Sequence, residues 1–258
     1  MSTFLFDSII FGPVWSRRLG ESLGVNLLPA NRKVCNFNCI YCECGLTPNE
    51  TPYSEFPSRE EVKKLLAARL LEIKKNGEYL NSITFAGNGE PTLHPDFEGI
   101  MSDTLEVRNT IFPDAKITVL SNATRAGISK IFDALILADL NILKLDSAIE
   151  STLMHINCPK GKFDFQGLID SLKQFKGKVI IQTLFFRGKF MGNTLDNSTG
   201  EEISAWLKVI ESVRPECVMI YSLARDTPVQ TLERIGIEEL TAIANRVEEL
   251  NIAVQVTP

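Results

Sequence analysis

Short β-rich apolar runs alternate along the chain with longer stretches in which apolar residues recur at helical spacing. This spacing predicts strands over 25–28, 81–86, 116–120, 141–145, 178–184, 216–221 and 252–256. Between them it predicts helices over 58–75, 95–108, 130–137, 165–175, 199–213 and 238–250. Two of the helix starts carry a capping box, Ser58 with Glu61 and Thr199 with Glu202. The first helix shows an apolar stripe at Val62, Leu65, Leu66 and Leu70. Pro95 and Asp96 suit the start of another, and His94 beside them reads as a helix cap. His155 has no partner in the sequence. The stretches 46–57 and 185–198 read as long loops, of the kind that form lids or binding loops.

Strand–helix alternation without a composition break means an α/β fold with a parallel sheet, because each crossover helix returns the chain to the same sheet end. A partial barrel and an open doubly wound sheet both fit. One domain over 1–258 is expected, with an N-terminal extension at 1–24, a core at 25–222 and a closing helix and strand at 223–258. In a parallel barrel, function gathers where strands end. There the sequence puts a cysteine run, then Gly87-Asn88-Gly89-Glu90-Pro91, Ser121-Asn122, Asp146, Gln182, and Tyr221, Ser222 and Arg225.

Composition narrows the class. With 258 residues, 44% hydrophobic and 23% charged, the chain is globular and large enough for a sizeable core. A formal net charge of -5 disfavours nucleic acid as a whole-surface partner. No targeting segment is evident, and no apolar run reaches the ~20 residues of a membrane span. A cytoplasmic location is therefore expected, where six cysteines stay reduced. Four of them, Cys35, Cys39, Cys42 and Cys44, fall in one short stretch, which points to metal. The spacing Cys35-x-x-x-Cys39-x-x-Cys42 lets three thiolates cap three corners of a cubane iron–sulfur cluster and leaves one iron open. Zinc is the alternative; it usually takes a second ligand pair, and the only histidines, His94 and His155, are not paired in spacing. Cys44 reads as a small turn residue before Gly45, or as a fourth ligand. Cys158 and Cys217 read as ordinary thiols.

Gly87 and Gly89 permit close backbone approach to a ligand, and Glu90 could pair with an ammonium. Ser121 and Asn122 suit a carboxylate or ribose, or else cap a turn. Lys144 and Asp146 share one strand face by period two, either inside a barrel or as a rim salt bridge. Gln182 is a similar polar outlier in an apolar strand.

The segment CNFNCIYC, with an aromatic before its last cysteine, and the segment GNGEPTLHP together resemble the radical S-adenosylmethionine (SAM) superfamily. The resemblance runs from GPVWSRRLG through SLARDTP. It is greatest to the branch related to tRNA wyosine-base synthases. It implies a partial (β/α)6 TIM-like barrel, one 4Fe–4S cluster on Cys35, Cys39 and Cys42, and SAM chelated to the open iron. It further implies reductive cleavage of SAM to a deoxyadenosyl radical, hydrogen abstraction from substrate, and an electron donor such as flavodoxin or ferredoxin. Tyr41 would lie beside the adenine. Gly87, Asn88, Gly89, Glu90, Ser121, Asn122, Lys144, Asp146, Gln182 and Tyr221 would form the cofactor pocket. Asn88 stands where the family more often has glycine.

On the substrate side, Arg17, Arg18, Arg187 and Arg225 suit an anionic small molecule or peptide. The wyosine relatives suggest a tRNA base instead, although the chain is acidic and lacks additional N-terminal cysteines. An iron–sulfur electron carrier or structural metal module is the non-enzymatic alternative; a carrier would need no second ligand pocket.

Overall fold

A strand covered on both faces must be apolar or internally paired at every position. β3 (Ser82–Phe85) meets that condition, with all four residues buried. The computed structural model describes residues 4–47 and 55–257. Its main sheet has eight strands among these residues. They are β1 (Ile10–Ser16), β2 (Gly20–Val25), β3, β4 (Lys116–Ser121), β5 (Leu140–Lys144), β6 (Ile180–Leu184), β9 (Cys217–Tyr221) and β11 (Ala253–Thr257), in that order across the sheet. From β2 to β11 all pairings are parallel and each strand lies beside the next main-sheet strand in the chain, so the sheet curls into the expected partial barrel. Helices α1 (Arg59–Lys75), α2 (Phe97–Ile111), α3 (Ser129–Leu135), α4 (Glu150–Asn157), α5 (Phe165–Gln174), α6 (Gly200–Val213) and α7 (Ile237–Glu248) make the crossovers.

The faces of the sheet differ by period two. Leu23, Val25, Ile83, Phe85, Ile117, Val119, Leu143, Ile181, Val218 and Ile220 join the large core shared with the helices. The opposite face lines the lumen. Toward β2, β3 and β4 it carries hydroxyls that satisfy one another: Ser22 with Thr84 at 2.7 Å, Ser82 with Thr118 at 2.7 Å, and Ser82 with Thr84 at 3.0 Å. Farther round it carries Ile142, Ile180 and Met219, packed with Leu19, Leu120 and Leu140.

Both capping residues act as expected. Ser58 accepts from the Glu61 backbone N–H and Thr199 from that of Glu202. In α1 the buried stripe is Val62, Leu66, Leu70 and Ile73, and Leu65 is exposed. The expected strand at 25–28 is displaced. β2 ends at Val25, and β1 pairs antiparallel with it as a hairpin at the sheet edge. α4 was not expected; at eight residues it is too short to leave a strong stripe. The expected loop at 185–198 is a hairpin, β7 (Phe186–Phe190) with β8 (Asn193–Asp196), joined by β10 (Leu232–Arg234) into a second sheet. Its half-exposed strands lack a clean apolar alternation. The middle of the other expected loop, 48–54, lies outside the described residues. No helix among the described residues is long and apolar enough to cross a membrane.

His94 does not cap α2, whose N-cap residue is Asp96. Its Nε2 donates to the Pro57 carbonyl at 2.8 Å and its Nδ1 accepts from the Asp96 N–H at 3.1 Å. These bonds require the neutral ring, and burial holds its pKa below the ordinary value. A folded-state pKa below the unfolded ~6.5 gives stability that is present above that value and lost as pH falls toward the folded pKa. The melting temperature of His94→Gln should therefore fall less between neutral pH and about pH 5 than that of wild type. Parallel curves would refute this assignment.

Candidate functional site

The cysteine loop leaves the top of the barrel after β2 and is clamped on both sides by backbone hydrogen bonds. On one side Val34 N donates to Asn88 O at 2.8 Å, and Glu90 N donates to Val34 O at 3.1 Å. On the other, Asn38 N donates to Asn157 O at 2.8 Å, Ile40 N to Ile156 O at 3.0 Å, and Lys160 N to Asn36 O at 2.8 Å. The loop thus runs between the GNGEP segment and the C-terminal end of α4.

Two glycines make the first clamp possible. Gly89 has φ +138°, and a Cβ there would fall on the Val34 carbonyl oxygen. Gly87 has φ +153°, and a Cβ there would fall on the Asn26 side chain. The Asn26 Oδ1 accepts from Asn88 N at 3.1 Å, which fixes the turn.

Several expected site residues prove to be occupied with one another. The Glu90 carboxylate is buried and accepts from Thr92 N at 3.1 Å, Thr92 Oγ1 at 2.6 Å, Ser121 Oγ at 2.8 Å and Asn122 N at 2.7 Å. Burial raises its pKa, and these donors oppose that shift. Glu90 therefore ties the end of β3 to the end of β4. The Asn122 amide donates to Asn36 Oδ1 at 2.7 Å and lies 3.7 Å from Cys35 Sγ. The Asn88 side chain, fully buried, donates to Phe6 O at 2.8 Å and Pro29 O at 3.0 Å and accepts from Phe6 N at 2.8 Å. It holds the N-terminal segment over the barrel.

Lys144 and Asp146 both face the lumen, as their shared parity predicts. Asp146 has no exposed side-chain surface and lies 3.7 Å from Lys144 Nζ. Its carboxylate accepts from the Tyr41 hydroxyl, from Asn157 Nδ2 at 2.7 Å and from Leu184 N at 3.1 Å. Asn197, buried between β8 and α6, holds the Asp146 carbonyl at 2.8 Å. Burial, and then the Asp146 charge, keeps Tyr41 protonated well above its usual pKa. Burial opposes the Lys144 charge, but Asp146, Tyr221 and Cys39 outweigh it and raise its pKa. Lys144 Nζ lies 3.4 Å from the Tyr221 hydroxyl and 5.0 Å from the Tyr41 ring centre.

Two residues that the sequence did not single out complete the sulfur environment. Asn157 Nδ2 lies 3.3 Å from Cys39 Sγ. Lys33, 3% exposed, donates to the Gly45 carbonyl at 2.8 Å and sits among the sulfurs of Cys42, Cys35 and Cys39. A lysine two residues before a cysteine carries no motif signal, and Asn157 lies on the helix that the pattern missed.

The donor set suits a cationic metal group. Burial pushes Cys35 up to about 12 and Cys39 up to about 11. A hydrogen bond from Cys44, opposed by burial and aided by Lys33, brings Cys42 down to about 5. Three thiolates in so buried a setting call for added positive charge. Among the described residues no three His, Cys, Asp or Glu side chains converge on a point that could hold a single metal ion. Cys44 sits beside Cys42, with its Sγ 3.5 Å from Gly87 O.

Beneath this network lies a cavity of about 350 Å³, lined among others by Phe6, Arg17, Arg18, Tyr41, Gln182, Tyr221 and Arg225. The Arg18 guanidinium lies 4.7 Å from the Tyr221 ring centre. Arg225 pairs with Glu43 at 2.5 Å across the rim. Arg187 does not join them. It stands on β7, paired with Glu239 and with Asp196 at 3.4 Å, outside the cavity. The β7–β8 hairpin likewise leaves the mouth to the N-terminal segment and to residues 222–227.

Comparison with known proteins adds the lineage. The chain is 29% identical over 252 residues to a Brachyspira hyodysenteriae protein named GTPase Obg, covering 96% of this chain and 34% of that protein. It contains no G-x-x-x-x-G-K-[ST] phosphate loop of its own. It is 32% identical over 182 residues to a UPF0026 protein of Methanocaldococcus jannaschii, covering 69% of this chain and 54% of that one. The chain thus spans about a third and about half of these two relatives. In fold it is similar to a radical SAM methyltransferase from Sphaerobacter thermophilus, with TM-score 0.64, 15% identity, and 92% and 65% of the two chains covered. It is also similar to Streptococcus suis SuiB bound to S-adenosylmethionine (0.62, 15%, 88% and 49%) and to archaeal TYW1 (0.53, 14%, 88% and 71%). The family model described as the Radical SAM superfamily matches residues 33–189. That match takes in the cysteine loop, the GNGEP turn and every strand from β3 to β6, and the chain belongs to the radical SAM superfamily.

Proposed function

We propose that the chain is a radical SAM enzyme in which Cys35, Cys39 and Cys42 each ligate one iron of a 4Fe–4S cluster. Three protein ligands would leave the cluster a place at which SAM could bind. When bound, this pair supplies one-electron cleavage of the sulfonium and hydrogen-atom abstraction from a substrate. The chain's own part is to hold, orient and shield. Gly87 and Gly89 let the turn close on Asn26 and Val34, which holds it against the cysteine loop. Asn157 Oδ1 is buried without a partner, an acceptor suited to an ammonium. Tyr41, braced by Asp146, flanks the nucleoside, and Lys144 provides a fixed positive charge. Glu90, Ser121 and Asn122 keep the two loops in place from behind.

The observation that carries this reading is the backbone joint between Val34 and Gly89, which sets three cysteines against a glycine turn above a lined cavity. An electron carrier has no use for such a cavity. The substrate is read as an anionic small molecule or peptide, with Arg17, Arg18 and Arg225 at the cavity. The net charge of -5 weighs against tRNA. A flavodoxin or ferredoxin would deliver the electron.

Anaerobic reconstitution with iron and sulfide, followed by dithionite and SAM, should yield 5′-deoxyadenosine. A fully assembled cluster that leaves SAM intact would overturn the proposal in favour of the carrier.

A further inference from the structure

The cavity wall contains two buried N–H donors with no acceptor. Arg18 Nη1 and Gln182 Nε2 are both shut off from solvent and make no hydrogen bond. Gln182 as a whole is 7% exposed. Their neighbours in the lumen are already satisfied. Ser22 and Thr84 bond each other, Ser222 bonds Phe185 O at 2.7 Å and Ile235 N at 2.8 Å, and Ser16 takes the N–H groups of Arg18 and Leu19. A buried donor left unpaired is costly, more so on a cation. Arg225, which also lines the cavity, is already engaged by Glu43.

We propose that Arg18 and Gln182 form a seat for the carboxylate of a small monocarboxylic acid, which is the substrate of this enzyme. The assignment rests on the SAM-dependent reading only in calling the ligand a substrate. The chemistry of the two donors selects the group. One planar guanidinium N–H and one planar amide N–H match the two oxygens of a carboxylate, one each. A single fully engaged cation balances a monoanion. A phosphate dianion has three acceptor oxygens and would need further donors in this low-dielectric wall. Leu19, Leu120, Ile142 and Leu184 supply apolar walls for the body of the acid, and Phe6 and Phe11, stacked at 3.6 Å, a flat one.

The seat is separate from the carboxylate of SAM. Arg18 is linked to the sulfur environment through a series of contacts, Tyr221, Lys144, Asp146 and Asn157, to Cys39, and Tyr41 and Glu43 of the cysteine loop line another part of the same cavity. It also comes from the turn before β2, at the end of the sheet opposite the cysteine loop. Gln182, expected from the sequence to touch the cofactor, is thereby assigned to the substrate.

The test uses the full chain, anaerobically reconstituted and loaded with SAM, titrated calorimetrically with three probes of similar shape: 4-methylpentanoate, 4-methylpentanamide and 3-methylbutyl phosphate. The carboxylate should bind, and the amide should bind about tenfold more weakly or worse. Arg18→Met and Gln182→Glu should each weaken the carboxylate about tenfold or more. Gln182→Glu is nearly isosteric and gives the reading if Arg18→Met does not fold. Equal binding of acid and amide, tighter binding of the phosphate, no binding of any probe, or unchanged affinity in the folded variants would each overturn the seat. Formation of 5′-deoxyadenosine by wild type, scored separately, shows whether the SAM reading itself stands.

Discussion

Cys39→Ala should lose the visible absorbance of the reconstituted protein, and with it SAM cleavage by at least ~100-fold, the upper end of what even an outer-shell partner costs a metal site. Cys39 is the most informative of the three cysteines. Cys42 has Cys44 beside it, hydrogen-bonded, and a neighbouring thiol can stand in for a lost ligand. Cys39 is 8% exposed, and its sulfur is oriented by Asn157 at 3.3 Å. Iron and acid-labile sulfide analysis should accompany the spectrum, with Cys217→Ala, on β9 and away from the loop, as the control that keeps its colour. A Cys39→Ala protein with the full spectrum would refute the ligand assignment, and zinc in place of iron would refute the cluster.

Gly89→Ala tests the joint on which the site is built. At φ +138° any side chain is strained, and here its Cβ would also meet the Val34 carbonyl, a backbone atom that cannot swing aside. Relief requires breaking the Val34–Asn88 and Glu90–Val34 bonds, which moves the cysteine loop away from the turn. The cost should be about 3 kcal/mol or more, seen as a large fall in melting temperature, and surviving protein should retain little iron. Gly200→Ala is the contrast. It opens α6, its backbone is not in the left-handed region, and nothing lies within 4 Å of its Cβ, so stability should hold or rise slightly. If both variants melt alike, Gly89 is not the joint described.

The parts of the fold that the sequence made legible are those with strong local periodicity. β3, β4, β5, β6 and β9 lie within a few residues of their expected places, because a strand buried on both faces writes a dense apolar run. The capped starts of α1 and α6 were visible because capping is a local backbone interaction. The β1–β2 hairpin and the small sheet of β7, β8 and β10 were not, since β1, β7, β8 and β10 are largely half-exposed or exposed and write no clean apolar alternation, β1 has an irregular register, and β10 joins β7 from far along the chain. Within the site, Lys144 and Asp146 were found by being out of place in an apolar strand, and Tyr41 through the resemblance of the cysteine segment. Asn157 and Lys33 were not, because an asparagine or lysine acquires its role only from what lies against it.

The chain by itself determined that three cysteines occupy one short loop, that two glycines break the strand-end turn at 87–89, and that an alternating α/β sheet puts such ends together. Those are properties of spacing and residue type, and they survive without coordinates. Only tertiary structure decided how the polar groups divide their work. Glu90, Ser121, Asn122 and Asn88 each had the chemistry to meet a ligand, yet they are consumed by one another and by backbone, while Arg187 is drawn off into a surface ion pair. Arg18 and Gln182, 164 residues apart in the numbering, become one pair of unanswered donors in a shared wall. A hydrogen bond extends only about 3 Å, so which groups are spent and which remain open is set by long-range packing that no local pattern encodes.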